Sequence, residues 1–264
     1  MSRACHPQCP IRRIFPIGGR LSALPRDSRP PAFFLAGDST TATQSPGGGG
    51  WGDGFLNTTL HHGAYGRNYG HNGATTVSFR AGGDWNNVLS SVKQSKSEYN
   101  PYVTIQFGHN DQKPAKNISL AQYTANLEKM ASEVNSAGAT PILVTPLSRR
   151  SYDDSTGSPR IILSLANETA ATITAAKHIG VAYIDLNKAS TEYLNSIGPD
   201  KAHTYNLKAD DNTHLNVAGS KVFGGMVADL IIRDFPGLKN AGFIGVNASL
   251  TKAVKEGEYF WPDY

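Results

Sequence analysis

Two residues far apart in the chain carry the side chains that acyl transfer needs. Ser39 follows the apolar run Phe33-Phe34-Leu35-Ala36-Gly37-Asp38, and His214 closes the tetrapeptide Asp211-Asn212-Thr213-His214. A serine hydroxyl becomes a nucleophile when an imidazole takes its proton and a third group fixes the imidazole tautomer. Asp211 precedes His214 by three residues, so one turn of backbone can bring its carboxylate to Nδ1. The tetrahedral intermediate also needs preorganised donors for its oxyanion. Candidates are the amide of Asn110, in Gly108-His109-Asn110-Asp111-Gln112, and backbone N–H groups at the glycines of Asn68-Tyr69-Gly70-His71-Asn72-Gly73-Ala74-Thr75. Each piece has an ordinary reading as well. Asp-Ser after a strand is commonly a turn or a helix N-cap, and a glycine often serves only backbone geometry. The four pieces in one chain favour chemistry.

Such residues must be delivered by elements that converge on one edge. Strand patterns fall at 32–37, 64–70, 102–107, 141–145 and 181–186, most of them rich in β-branched or aromatic residues. Helical patterns fall between them at 51–60, 84–96, 119–137 and 161–178, with a last one at 217–235. Ser119 with Gln122 offers a capping box, and Gly138 and Gly180 supply stops. Strands separated by helices imply a parallel sheet covered on both faces. The expected fold is an α/β three-layer sandwich, α/β/α, with a central parallel sheet of about five strands. Ligands of such sheets sit beyond the carboxyl ends of the strands, where Ser39, the two glycines and Asn110 all fall. Ser39 is expected to start a helix while presenting its hydroxyl, which would aim its own N–H at an oxyanion.

Gly37-Asp38-Ser39-Thr40, the Asn68–Thr75 block, Gly108-His109-Asn110-Asp111 and Asp211-x-x-His214 occur in the order of the SGNH (GDSL-like) hydrolases, which they resemble over about residues 32–235. The forms Gly37–Thr40 and Phe107–Gln112 resemble the rhamnogalacturonan acetylesterase branch. The resemblance implies a flavodoxin-like fold with Ser39 as nucleophile, His214 as general base and acid, and Asp211 as its partner. It implies an oxyanion hole of the Ser39 N–H, the Gly73 N–H and the Asn110 amide. Gly70 stands open as an alternative donor, with Asn72-Gly73-Ala74-Thr75 the better fit to the family pattern. Asp38, His71, His109 and Trp51 are further candidates for contacts with substrate. The implied activity is removal of O-acetyl groups from a pectic polysaccharide, without a cofactor. A GDSL-type lipase or acylhydrolase, an acetylxylan esterase, and an inactive carbohydrate-binding protein on the same fold are the rivals.

The rest of the composition bounds partners. The chain has 264 residues and a formal charge of +4. Residues 1–31 hold six arginines against Asp27 alone, a local charge of +5, which leaves −1 for residues 32–264. A near-neutral body argues against nucleic acid or an anionic membrane as partner, and no stretch reaches the ~18 continuous apolar residues of a membrane helix. Residues 1–31 read as a disordered or cleaved leader outside the fold, and residues 32–264 as one catalytic domain. Cys5 and Cys9 both lie in that leader, and a C-x3-C pair alone is a weak zinc signal. No metal is expected, since His61-His62 has no carboxylate or cysteine at ligand spacing. Sequons at Asn57, Asn117, Asn167 and Asn247 favour a secreted glycoprotein, and a monomer is expected.

Overall fold

The sheet strands bear apolar side chains on both faces, as a sheet covered on both sides requires. In the first, β1 (Pro31–Gly37), Phe33 and Leu35 enter one core while Ala32, Phe34 and Ala36 enter the other, the alternation a pleated strand imposes. The computed structural model describes residues 29–263 together with Met1. The sheet continues with β2 (Tyr65–Asn68), β3 (Asn100–Gln106) and β4 (Thr140–Val144). A two-stranded antiparallel ribbon, β5 (Tyr152–Asp153) with β6 (Arg160–Ile161), stands apart, and β7 (Ala182–Ile184) completes the sheet. Its order is β2-β1-β3-β4-β7, and every pairing is parallel. The expected three-layer architecture and strand count are what the molecule has.

One face is covered by α1 (Gly52–Thr59), α6 (Leu186–Ala202), α7 (Val217–Asp234), α8 (Pro236–Asn240) and α9 (Ala248–Glu256). The other is covered by α2 (Thr76–Ala81), α3 (Asp84–Ser95), α4 (Leu120–Ser136) and α5 (Ala166–Ile179). Ser119 caps α4 by accepting from the Gln122 N–H. Helices α1 and α7 approach backbone to backbone. A Cβ at Gly54 would lie 1.9 Å from the Ser220 carbonyl oxygen, and one at Gly224 would lie 2.2 Å from the Phe55 nitrogen. This contact seats α7, and with it the segment before it that carries His214.

Several boundaries differ from expectation. Pro31 opens β1, and the Pro30 carbonyl accepts from the Asn100 N–H at 2.9 Å, so the fold begins before residue 32. Residues 2–28 of the proposed leader, with Cys5 and Cys9, lie outside the described residues. The helix expected over 161–178 starts only at Ala166, because Arg160-Ile161 pairs with Tyr152-Asp153 and the Ile161 N–H binds the Asn195 side chain. Helix α6 has no counterpart in the sequence reading. Gly198 (φ 74°, ψ 170°) and Pro199 break it into two helical pieces, and that dipeptide hides the helical period.

Candidate active site

The strand order reverses direction at β1, which has β2 on one side and β3 on the other. The crevice at this switch point, beyond the carboxyl ends, is where such sheets bind ligands. Three loops open there, one from each of these strands.

The loop after β1 is a tight turn. The Asp38 carbonyl accepts from the N–H groups of Thr41 and Ala42 at 3.1 Å, and its Oδ1 accepts from the Thr40 N–H at 2.9 Å and Oγ1 at 2.7 Å. Behind it, Trp51 Nε1 donates to Gln106 Oε1 and Gln106 Nε2 to Thr40 Oγ1. Ser39 therefore rides on a turn held by several hydrogen bonds, but it does not start a helix; the next helix begins at Gly52. The side chain of Asp38 is spent on its own turn, a short local option that competes with helix. Burial pushes the Asp38 carboxyl up, yet His109 and the Thr40 donors outweigh it and hold it below 3.8.

The second and third loops are tied to each other. Asp111 Oδ1 accepts from the Thr76 N–H at 2.9 Å and Oγ1 at 2.6 Å, and Asn110 Nδ2 donates to the Ala74 carbonyl at 3.0 Å. On the other side of its amide, Asn110 Oδ1 accepts from Lys113 Nζ at 2.7 Å. Burial, with the charge of Asp38 adding to it, raises the Asp111 carboxyl against the Thr76 hydrogen bonds. Gly108, at φ 127°, supplies the left-handed backbone that turns β3 into this loop.

The fourth segment precedes α7. Asp211 Oδ1 accepts from the N–H groups of Thr213 at 3.1 Å and His214 at 2.9 Å, and Asp211 Oδ2 lies 2.8 Å from His214 Nδ1. His214 Nε2 lies 2.8 Å from Ser39 Oγ, across 175 positions of sequence. Burial raises the Asp211 carboxyl, but the His214 and Thr213 donors prevail and the net shift is downward. Asp211 is thus ionised at neutral pH and can only accept. Nδ1 of a neutral His214 must then carry the ring proton, which leaves Nε2 free to accept from the Ser39 hydroxyl.

The three expected oxyanion donors each retain an uncommitted N–H. Neither the Ser39 nor the Gly73 backbone N–H has a protein acceptor among the described residues, and Asn110 uses only one of its two amide hydrogens on the protein. Gly73, at φ 77°, faces open space, whereas the Gly70 N–H is taken by Asn68 Oδ1 at 2.9 Å. Gly70 is instead a packing residue; its Cβ would lie 2.4 Å from the Ala42 nitrogen.

The candidates for substrate contact divide. His71 is exposed, pairs with Asp84 Oδ2 at 2.8 Å, and lines a cleft of about 240 Å³ that also includes Gly73 and Ser78. Trp51 does not qualify, being 0% exposed with its indole N–H on Gln106. Asp38 is equally inaccessible at 0%. His109 is buried behind Asp38, its Nδ1 3.5 Å from Asp38 Oδ2, and neither ring nitrogen has a hydrogen-bond partner. Trp85 packs in the core, its Nε1 on Glu133 Oε2 at 2.6 Å. Sequence reasoning missed Lys113, Gln106 and the adjacent pair Arg149-Arg150. The only prior signal for the last was two adjacent arginines a few residues after a buried strand.

Comparison with known proteins agrees with this geometry. Residues 35–222 match the model of the GDSL-like Lipase/Acylhydrolase family. The chain is 30% identical over 216 residues to the rhamnogalacturonan acetylesterase RhgT of Bacillus subtilis (strain 168), covering 76% of this chain and 89% of RhgT. The crystal structure of YxiM from Bacillus subtilis superposes with a TM-score of 0.66 at 25% identity, covering 78% of this chain and 57% of that one. Axe2, an acetylxylan esterase from Geobacillus stearothermophilus, shares the fold at TM-score 0.54 and 21% identity, with coverage of 83% and 97%. With the serine turn, the tied donor loops and the Asp-x-x-His turn meeting at one switch point, the chain belongs to the GDSL-like lipase/acylhydrolase family and is a carboxylic ester hydrolase.

Proposed function

We propose that this protein is a serine esterase that removes O-acetyl groups from an acetylated pectic polysaccharide of the rhamnogalacturonan type. The observation that carries the chemistry is the hydrogen-bonded line from Ser39 Oγ through His214 to Asp211, both links 2.8 Å. Ser39 Oγ attacks the acetyl carbon as His214 Nε2 takes its proton. The oxyanion is held by the uncommitted N–H groups of Ser39, Gly73 and Asn110. Collapse expels the sugar oxygen, which His214 protonates, and leaves an acetyl-enzyme. His214 then deprotonates water for the second attack, and acetate leaves with Ser39 restored. In serine hydrolases one such donor supplies about 2.7–4 kcal/mol of barrier lowering.

The pectic substrate is supported by the 30% identity to RhgT over most of both chains. A short acyl group is supported by the position of an apolar cavity that lies away from Ser39. This space of about 610 Å³ is lined by Pro31, Tyr102, Phe235, Leu238 and Phe243, at the amino ends of β1 and β3, opposite Ser39. Every candidate catalytic group comes from one chain, which fits action as a monomer. A polymeric substrate suits a secreted enzyme, and the four sequon asparagines are all exposed.

The test is acetate release from acetylated rhamnogalacturonan and acetylated xylan, with a chain-length series of p-nitrophenyl esters alongside. The expected result is release from rhamnogalacturonan, preference for acetyl over acyl chains of eight carbons, and no turnover by folded Ser39→Ala. Turnover by Ser39→Ala refutes the mechanism, and preference for xylan or long chains refutes the substrate.

A further inference from the structure

Arg150 is a fully buried guanidinium that has no carboxylate within salt-bridge distance among the described residues. Burial lowers it to about 10, so it remains a cation at neutral pH. The charge of Asp211 favours it from beyond salt-bridge distance, but an interior charge with no counter-ion in direct contact is costly, and the protein keeps this one with Nη1 unpartnered. What Arg150 does touch is the turn that bears Asp211 and His214. Its Nη2 donates to the His214 carbonyl at 2.6 Å and makes a longer contact of 3.5 Å to the Asp211 carbonyl. Its backbone N–H donates to the Asn212 carbonyl at 2.8 Å. The neighbouring Arg149 supplies the remaining position, its Nε donating to Thr213 Oγ1 at 3.3 Å. Every residue from 211 to 214 is therefore gripped by one of two adjacent arginines.

The grip is anchored on its other side. Arg150 Nε donates to Asn206 Oδ1, and the Arg150 carbonyl lies 2.8 Å from His203 Nε2. Arg149 reaches the Ser164 hydroxyl at 3.0 Å and the His109 carbonyl at 3.4 Å, next to Asn110. Both arginines lie on the loop that follows β4, five and six residues past its last residue Val144; β4 is an interior strand of the sheet. They thus refer the histidine turn to the same rigid frame that holds the Ser39 turn.

We propose that Arg149 and Arg150 are positioning residues for the esterase reaction, a clamp that fixes the Asp211–His214 turn so that Nε2 stays within hydrogen-bond reach of Ser39. The proposal rests on the serine-esterase reading. The clamp touches neither substrate nor the reacting atoms. Its loss lets the imidazole wander without altering the cleft, so it acts on kcat and spares KM. Arginine is needed for geometry as well as charge, since a lysine offers no planar fork to span Asn206 and two carbonyls.

The experiment measures kcat and KM on p-nitrophenyl acetate at 25 °C, the thermal midpoint, and the low-field proton resonance of the His214 Nδ1–H. Arg150→Met is expected to lose about 10²-fold in kcat, the scale of a 1 Å misplacement. KM should stay unchanged, the sample folded at the assay temperature, and the low-field resonance broadened or lost. Arg150→Lys should restore part of the loss, and Arg149→Met should lose less than Arg150→Met. A folded Arg150→Met protein with wild-type kcat and an intact resonance overturns the proposal, as does a rise in KM at constant kcat. Should Arg150→Met not fold, Arg150→Lys and Arg149→Met decide, and wild-type kcat in both overturns it. Ser39→Ala run in parallel separates the two ideas: its activity refutes the esterase reading, whereas its inactivity beside a fully active Arg150 variant refutes only the clamp.

Discussion

Replacing Asn110 separates a role in the reaction from a role in the fold. Its amide spends one hydrogen on the Ala74 carbonyl at 3.0 Å and its oxygen on Lys113 Nζ at 2.7 Å, and it keeps one hydrogen free. Asn110→Ala removes all three. The lost bond to Ala74 costs about 0.5–1.5 kcal/mol of stability, as a net hydrogen bond does. The bond from Lys113, an exposed side chain, adds little more. Domains usually hold about 5–15 kcal/mol, so the variant stays folded at 25 °C and its rate reports chemistry. On the proposed mechanism the free hydrogen meets the oxyanion, and its loss is expected to raise the barrier by about 2.7–4 kcal/mol, a fall of roughly 10²–10³ in kcat. KM should hardly move, because the interaction is made only as charge develops. Asn110→Asp sharpens the test, since it keeps an acceptor for Lys113 while replacing the donor with a negative charge; its kcat should fall further. The assay is steady-state hydrolysis of p-nitrophenyl acetate beside thermal melts of the same samples. A folded Asn110→Ala enzyme with kcat within about threefold of wild type, against the 10² expected, would refute the assignment and leave Asn110 as a tie between two loops.

Two further outcomes follow from the geometry of the frame. Gly224→Val pushes a side chain onto the Phe55 nitrogen, 2.2 Å from the new Cβ; overpacking costs about 1–3 kcal/mol, so the thermal midpoint should drop by roughly 2–12 °C, and an unchanged midpoint would contradict the close α1–α7 contact. The Asp38 carboxyl is held below 3.8 in the folded state, so the unfolded chain binds its proton more readily. Its contribution to stability is therefore present above about pH 3.8 and is lost as pH falls through the lower folded value. Urea melts between pH 5 and 3 should show a shallower acid loss for Asp38→Asn than for wild type, and an equal slope would remove Asp38 from the account.

The legible parts of this protein were those where chemistry or solvent exclusion dictates residue type. Phe33-Phe34-Leu35, closed by Gly37, reads as a buried strand, and Asp-x-x-His, common by chance on its own, gains meaning from the three other blocks that precede it in order. The illegible parts depend on partners distant in sequence. Trp51 reads as a surface aromatic until its hydrogen bond to Gln106, 55 positions away, places it in the core. His109 lies beside the oxyanion candidate and so looked available, yet burial behind Asp38 removes it. Arginine in a loop reads as solvated, and only the turn 61 to 64 residues later accounts for a buried Arg150. Helix α6 was hidden by Gly198-Pro199, where a local break is real but does not end the helical segment.

The α1–α7 contact, glycine against glycine, also sets when the enzyme comes into being. Ser39 and its turn lie in the first third of the chain, but the proposed base lies 175 residues later, on the segment just before α7. Pairings so distant in sequence are the slow ones to form. On the proposed mechanism, a chain with only β2, β1, β3, β4 and the serine turn in place would still hold an inert alcohol. If Ser39 and His214 carry the reaction as proposed, acyl transfer needs the last long helix docked on α1, and so needs nearly the entire protein assembled.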